Sequence, residues 1–288
     1  MSVVAVITGA SSGIGAATSR RLAREPGAQL VLVARREQRL RELAGELGAT
    51  YIVADLTEAD APARVAAHVA EHYGRLTLLV NNAGASWRAS FADGGYANVR
   101  QTMEVNFDAV VRHTGALLPL LRASRPSTIV NVASAAARVG RAGAGAYSAS
   151  KSALAGWTDA LHLEELPHGV HVGLVLPGFI ATEGFPAEEL RAKRMTRWIV
   201  SDADTAAEAI VDAGLRGRAE RYAPRAYALA AAARVLLPGA LRRVQRSGAG
   251  SLTTTRTNPE APLVGTAALS PDLSLTTVAT RATAPKES

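Results

Sequence analysis

The feature that most restricts how this chain can fold lies near its start. An apolar, β-branched run, Val3–Thr8, leads straight into Thr8-Gly9-Ala10-Ser11-Ser12-Gly13-Ile14-Gly15, and residues 16–24 then read as helical until Pro26-Gly27. Glycines at such a junction permit a tight turn and a close approach of backbone N–H groups to a ligand. The helix that opens there points its positive dipole end at the same place. Strand, glycine-rich turn and helix in that order form a βα unit whose cradle, Gly9, Ser11, Ser12, Gly13, Ile14 and Gly15, suits a pyrophosphate. The spacing is G-x-x-x-G-x-G rather than G-x-G-x-x-G, and a glycine-rich turn that holds no ligand is the plainer alternative.

The rest of the chain repeats the unit. Apolar runs at 30–33, 51–53, 76–80, 128–132 and 170–176 alternate with helical patterns at 36–47, 62–72, 96–121 and 146–166. Short, continuously apolar strands between longer helices predict an α/β fold. Its core is a doubly wound parallel sheet (Rossmann-like) with helices on both faces, in a single domain. Ligands of such sheets bind beyond the carboxyl ends of the strands. We expect a dinucleotide-binding catalytic domain over 1–224, a basic apolar helical segment over 225–246, and a disordered tail over 247–288, which is rich in Ser, Thr, Ala, Pro and Gly and has no aromatic residue.

Composition narrows the function. The chain of 288 residues has no cysteine, so disulfides and thiolate metal sites are excluded and a reducing, cytoplasmic setting is compatible. No apolar run of about 20 residues is present, so no spanning helix is expected. The first ten residues lack a basic n-region and a cleavage site and read as a strand, not a signal peptide. His68 and His72 are four apart on a helix but have no third ligand in view, so no metal is expected. The net charge of +7 is confined: residues 1–213 balance at 21 basic and 21 acidic, whereas 214–246 hold eight arginines against Glu220 alone. No nucleic-acid partner is expected.

Tyr147 and Lys151 lie four apart in a helical segment and share a face. A free phenol titrates near 10 and is a poor acid or base at neutral pH, but a neighbouring ammonium favours the phenolate and lowers that value. Ser134 ends an apolar strand thirteen residues upstream, which puts its hydroxyl near the ligand-binding edge of the sheet. A Tyr-x-x-x-Lys pair alone is common on ordinary helices; with this serine it points to proton transfer.

Taken in order, these marks resemble the classical short-chain dehydrogenase/reductase family: Thr-Gly-x-x-x-Gly-Ile-Gly, Asp55 after the third strand, Asn81-Asn82-Ala83-Gly84 after the fourth, Asn106 in the long helix, Ser134, Tyr147-Ser-Ala-Ser-Lys151 and Pro177-Gly178. The match spans about residues 3–220. The resemblance implies an enzyme that interconverts a carbonyl and an alcohol with a nicotinamide nucleotide. In it Tyr147 transfers the proton, Ser134 stabilises the substrate oxygen, Lys151 holds the nicotinamide ribose and tunes Tyr147, and Asn106 supports a water relay from Lys151. It also implies that Asp55 and Leu56 contact the adenine, that Asn82, Ala83 and Gly84 line the cofactor cleft, and that Pro177, Gly178, Ile180 and Thr182 close on the nicotinamide. Asp55 as a helix cap, Asn82-Ala83-Gly84 as a turn and 177–182 as a plain loop are the alternatives. A homodimer or homotetramer built through the two long helices is expected by the same analogy.

The second strand ends Leu32-Val33-Ala34-Arg35-Arg36, with Ala34 where an NAD-preferring fold places an acid. Guanidinium groups suit a 2′-phosphate, so NADP is expected over NAD, with Arg35 the main contact and Arg36 helping. Ser12 departs from those NADP-preferring members that carry a basic residue before the second glycine. The expected reaction is reduction of an apolar ketone or aldehyde. Trp87, Phe91, residues 135–144, Phe179 and Phe185 are placed at the pocket by loop position. NAD-dependent alcohol oxidation is the alternative within enzymes, and a non-catalytic nucleotide-binding regulator the alternative outside them. Residues 225–246 pair apolar side chains with arginines; they pack over the cleft or a subunit interface, or lie peripherally on an anionic membrane surface.

Overall fold

The computed structural model describes residues 2–181 and 199–246, with side chains through 244. Seven strands form one sheet: β1 (Val4–Thr8), β2 (Gln29–Ala34), β3 (Thr50–Val53), β4 (Leu78–Asn81), β5 (Ser127–Val132), β6 (Val170–Pro177) and, late in the chain, a strand over Glu220–Ala223. Every pairing is parallel, and the order across the sheet is β3-β2-β1-β4-β5-β6 with 220–223 at the far edge. The chain winds outward from β1 in one direction and then from β4 in the other. The switch point therefore lies between the carboxyl ends of β1 and β4, where the glycine-rich turn and Asn82 stand.

Strand side chains alternate between two cores. Ile7, Leu32, Val80, Val130 and Val175 face α1 (Gly13–Leu22) and α2 (Glu37–Leu47) through Leu22, Leu40 and Leu43. Val6, Val31, Leu79, Ile129 and Val172 face α3 (Ala61–Tyr73) and α5 (Ala109–Ala123) through Val65, Val69, Leu117 and Leu121. Burial on both sides explains why these strands read as unbroken apolar runs.

The stretch expected as one helix over 96–121 is divided. α4 runs Phe91–Met103, with a break at Gly95 (φ 51°). A single π turn then spans Glu104–Asp108 before α5 begins. A π turn inserts one residue without interrupting the helical run, so apolar periodicity does not reveal it. The next helix, α6 (Gly145–Glu165), starts and ends within a residue of expectation. It is fastened to α5 by the fork of Arg122 on the buried Glu165, at 2.8 and 2.6 Å.

Beyond β6, a two-stranded ladder pairs β7 (Phe179–Ile180) with β8 (Val200–Ser201). Helix α7 (Ala203–Gly214) packs on α1 and β6, and β9 (Glu220–Ala223) completes the sheet. None of these was expected. β9 reads Glu-Arg-Tyr-Ala, polar because it forms an edge. The basic segment forms two helices, α8 (Tyr227–Leu236) and α9 (Pro238–Arg246). Residues 247–288, expected as a tail, lie outside the described residues, as do Thr182 and Phe185. Among the described residues no helix is long and apolar enough to cross a membrane.

Candidate functional site

At the switch point, β1 ends in Thr8, which is buried. Its hydroxyl donates to the Val80 carbonyl at 3.2 Å and accepts the N–H groups of Asn82 and Ala83 at 3.0 and 3.1 Å. Asn82 Nδ2 donates back to the Thr8 carbonyl at 3.0 Å. One threonine thus ties the carboxyl ends of β1 and β4 together. Gly9 follows with φ +66°, a conformation that side chains strain. A Cβ on Gly15 would lie 2.2 Å from the Gly9 carbonyl oxygen, so only glycine lets α1 start this close to the turn. The first turn of α1 carries no acid. These features fit a pyrophosphate: donors, space and a positive dipole end converge there.

Arg36 reaches from the end of β2 across this turn and donates to the hydroxyls of Ser11 and Ser12. The cation absent from the turn itself is thereby supplied in space by Arg36, which sequence position did not show. Arg35 is exposed and pairs with Asp55 at 3.5 Å. Asp55 accepts the Thr57 N–H at 3.0 Å and its hydroxyl at 2.8 Å, so it does cap the following turn. Burial alone would push its carboxyl up; the Thr57 hydrogen bonds and Arg35 hold it below the usual range.

The second cluster sits at the carboxyl end of β5. Ser134 is buried and extended, its Oγ donating to the Pro177 carbonyl at 3.3 Å and accepting the Ala136 N–H at 3.1 Å. Tyr147, which α6 presents from its first turn, stands near enough for the Ser134 hydroxyl to act on its phenol. Lys151, one turn on, is buried; its Nζ donates to the Val132 carbonyl at 2.9 Å and stands 6.0 Å from the Tyr147 ring centre. Burial pushes Tyr147 up and Lys151 down to about 8. The groups working against burial at Tyr147 are the Ser134 hydroxyl and the positive charge of Arg141.

Asn106 occupies the π turn, which rotates its side chain inward. Oδ1 accepts the Ala85 N–H at 2.8 Å, and Nδ2 donates to the Ala85 carbonyl at 2.9 Å and to Ser150 Oγ at 3.0 Å. Ser150 in turn donates to the Tyr147 carbonyl at 2.9 Å. Asn106 is thus a clamp joining the loop after β4 to the Tyr147 helix. A Cβ on Gly84 would meet Asn106 Oδ1 at 2.9 Å and Lys151 Nζ at 3.2 Å, so the glycine admits both side chains. Behind them Asn81 Nδ2 donates to Thr114 and Asn131, and Asn131 Nδ2 donates to Thr158, a satisfied buried chain that ties β4 and β5 to α5 and α6.

Over the site, Tyr227 from α8 packs on Gly178 so closely that a Cβ there would lie 2.0 Å from its ring. Its hydroxyl donates to the Ile199 carbonyl at 3.0 Å. Arg141 stacks on Phe179 at 4.7 Å. A cavity of about 210 Å³ between α4 and the segment leading into α6 is lined by Phe91, Asn98, Val99, Arg141, Ala142 and Ala146, among others, and not by Ser134, Tyr147 or Lys151. Phe91 and the 135–144 loop thus meet as expected, whereas Trp87 and Phe179 do not line it. Thr8 and Arg141 entered the sequence reading only as part of the glycine-rich motif and of the 135–144 stretch, and Ser150 and Tyr227 were not singled out. Ser150, inside Tyr-Ser-Ala-Ser-Lys, carried a signal that could have drawn attention, and Tyr227 carried none. His68, on its helix, bonds Thr50 Oγ1 at 3.0 Å and stacks on His72.

Comparison with known proteins agrees with this geometry. The family profile described as short chain dehydrogenase matches residues 3–193. A Streptomyces violaceoruber protein assigned as ketoacyl reductase 1 of the granaticin polyketide synthase is 37% identical over 209 residues, 70% of this chain and 76% of the relative. Dehydrogenase/reductase SDR family member 7B of Danio rerio is 33% identical over 190 residues, 62% of this chain but only 61% of the relative. Among solved structures, a short chain dehydrogenase from Burkholderia cenocepacia in complex with NADP superposes with a TM-score of 0.73 at 27% identity, covering 85% of this chain and 97% of that one. A short-chain dehydrogenase from Streptomyces avermitilis gives 0.72 at 28% identity, covering 87% and 99%.

Proposed function

This chain belongs to the short-chain dehydrogenase/reductase family and is an oxidoreductase acting on CH–OH groups, and we propose that it works with NADP(H) to reduce an apolar ketone or aldehyde. The observation that carries the proposal is the Ser134–Tyr147 hydroxyl pair beside buried Lys151, at the same sheet edge as the glycine cradle.

The nicotinamide nucleotide, when bound, supplies the hydride. The backbone of Gly9 and of Ser11 to Gly15 receives its pyrophosphate, Arg35 and Arg36 its 2′-phosphate, and Asp55 and Leu56 its adenine. Asn82, Ala83 and Gly84 line one wall, Tyr147 and Lys151 hold the ribose, and Pro177, Gly178, Ile180 and Thr182 flank the nicotinamide. Two arginines at the end of β2, one already drawn over the turn, support NADP over NAD. Tyr147 gives its proton to the substrate oxygen. Ser134 donates a hydrogen bond to that oxygen as charge develops on it. Lys151, its ammonium facing the phenol, eases the phenolate that remains, and Asn106 keeps the helix carrying both in place and supports a water relay to solvent. The apolar side chains of Phe91, Val99, Ala142 and Ala146, which line the cavity at the start of α6, support an apolar substrate. We further propose a cytoplasmic homodimer or homotetramer paired through α4–α5 and α6, whose outer faces expose Phe91, Tyr96 and Leu163.

The test is nucleotide binding by fluorescence, followed by turnover of a ketone and aldehyde panel by wild type and Tyr147→Phe. We expect NADPH to bind more tightly than NADH, and Tyr147→Phe to bind NADPH while turnover falls by a factor of about 100 or more. Binding of neither nucleotide would overturn the proposal. Tighter binding of NADH, with alcohol oxidation, would replace it by the NAD-dependent alternative.

A further inference from the structure

Helix α8 is amphipathic the wrong way round. The side chains it turns toward the protein are Tyr227, Ala230, Ala231 and Arg234, all partly buried. Those it turns outward are Ala228, Leu229, Ala232, Val235 and Leu236, spaced three or four apart on a single face. Leu229, Val235 and Leu236 are 76%, 78% and 75% exposed, and the stripe runs on through Leu237 at 61%. On α9, Val244 is exposed as well. A soluble helix normally shows water the opposite pattern, and exposed apolar patches of this kind mark surfaces that something covers.

The flanking charge indicates what covers it. Arg225 precedes the stripe, and Arg242 and Arg243 follow it, all exposed. From residue 221 to 246 the sequence has no acid. A second copy paired symmetrically here would bring identical cationic segments together. Residues 247–288, with three basic and three acidic side chains, offer no charge complement. A surface that is apolar beneath and anionic above does: apolar side chains enter the acyl boundary while arginines meet headgroups, their stems lying along the apolar layer.

We propose that α8 and α9 dock this protein peripherally on the surface of an anionic lipid bilayer, with Leu229, Val235, Leu236 and Leu237 inserted and Arg225, Arg242 and Arg243 on the phosphates. Tyr227, which packs on Gly178, fastens the docking helix to the body of the protein.

The experiment is co-sedimentation of the full chain with vesicles of phosphatidylcholine alone or with about one third phosphatidylserine, at about 0.05 and about 0.5 M salt. Three proteins are compared: wild type, Leu229→Ser/Val235→Ser/Leu236→Ser, and Arg225→Gln/Arg242→Gln/Arg243→Gln. All the substituted side chains are exposed or partly exposed, and circular dichroism and nucleotide binding check that the variants are folded. Wild type should bind anionic vesicles at least about tenfold better than neutral ones at low salt, and lose most of that in high salt. The serine variant should lose binding in both salts, and the glutamine variant should lose the preference for anionic lipid. No binding of wild type to anionic vesicles at low salt overturns the proposal, as does equal binding by the serine variant. A serine variant whose mass in light scattering halves while wild type ignores vesicles would assign the stripe to a second copy instead. None of these readouts depends on turnover, so they stand or fall apart from the reductase reading.

Discussion

At the scale of single residues, Tyr147, the proposed proton donor, is held by opposing forces. Burial pushes the Tyr147 phenol up, away from use at neutral pH, and the Ser134 hydroxyl and the Arg141 charge push it back. Lys151 is itself driven toward neutrality, to about 8, so it loses its proton as the pH rises through that value and with it the power to stabilise a phenolate. Burial lowers Arg141 as well, but a guanidinium starts from a far higher value than an ammonium, which makes it the steadier of the two cations near the phenol. On the proposed mechanism reduction needs Tyr147 protonated, so kcat/KM for reduction should fall as pH rises through the Tyr147 pKa. Removing a cation raises that pKa. Arg141→Met should therefore move the alkaline limb of the reduction profile, and the acidic limb of the oxidation profile, toward higher pH. Initial rates across a pH series in both directions decide it. Limbs that stay where they are in the wild type would mean that Arg141 only packs on Phe179.

At the scale of elements, the site depends on how loops are fastened to neighbouring segments. The loop after β6 is held from outside by α8, through a contact between Gly178 and Tyr227 that has no room for a methyl group. Gly178→Ala should therefore force Tyr227 aside. Overpacking of this kind costs about 1–3 kcal/mol, visible as a lower urea midpoint with an unchanged slope. A midpoint equal to that of wild type would show that Tyr227 swings away freely. The elements themselves were legible to different degrees. β1, α2, α6 and β6 announced themselves within a residue or two, because a strand buried on both faces must be apolar throughout and a helix on a sheet must repeat its apolar positions. The grouping of Ser134, Tyr147 and Lys151 was legible because a strand end and a spacing of four on one helix place them together. The π turn at Asn106 was not, since it inserts a residue without disturbing composition. β9 was hidden by the polar side chains of an edge strand, and Arg36 reaches the turn only because β1 and β2 lie side by side. Arg141 and Tyr227 approach the site from loops and helices far away in sequence, and pattern reading has no access to such contacts.

At the scale of the whole molecule, the cofactor cradle and the sheet form one mechanical unit. Thr8 joins β1 to β4, the Asn81–Asn131 chain joins β4 and β5 to α5 and α6, and Arg122–Glu165 joins those two helices. A nucleotide bound across the switch point as proposed would touch the loops of these strands, so its binding energy would be added to the stability of the folded state and withheld from the unfolded chain. At a concentration of about 100 times Kd, that linkage contributes ~2.7 kcal/mol. For a domain of this size, each kcal/mol raises Tm by about 2–4 °C, so saturating NADPH should raise it by roughly 5–10 °C. NADH at the same concentration should do less, because Arg35 and Arg36 have no 2′-phosphate to meet. In Arg35→Asp the advantage of NADPH should shrink or reverse, since an acid at the end of β2 repels a phosphate and accepts a ribose hydroxyl. Thermal scans of wild type and Arg35→Asp with each nucleotide measure all four values on one scale. Equal shifts by NADPH and NADH in the wild type would remove the basis for NADP preference, and an unchanged difference in Arg35→Asp would move the 2′-phosphate contact to Arg36.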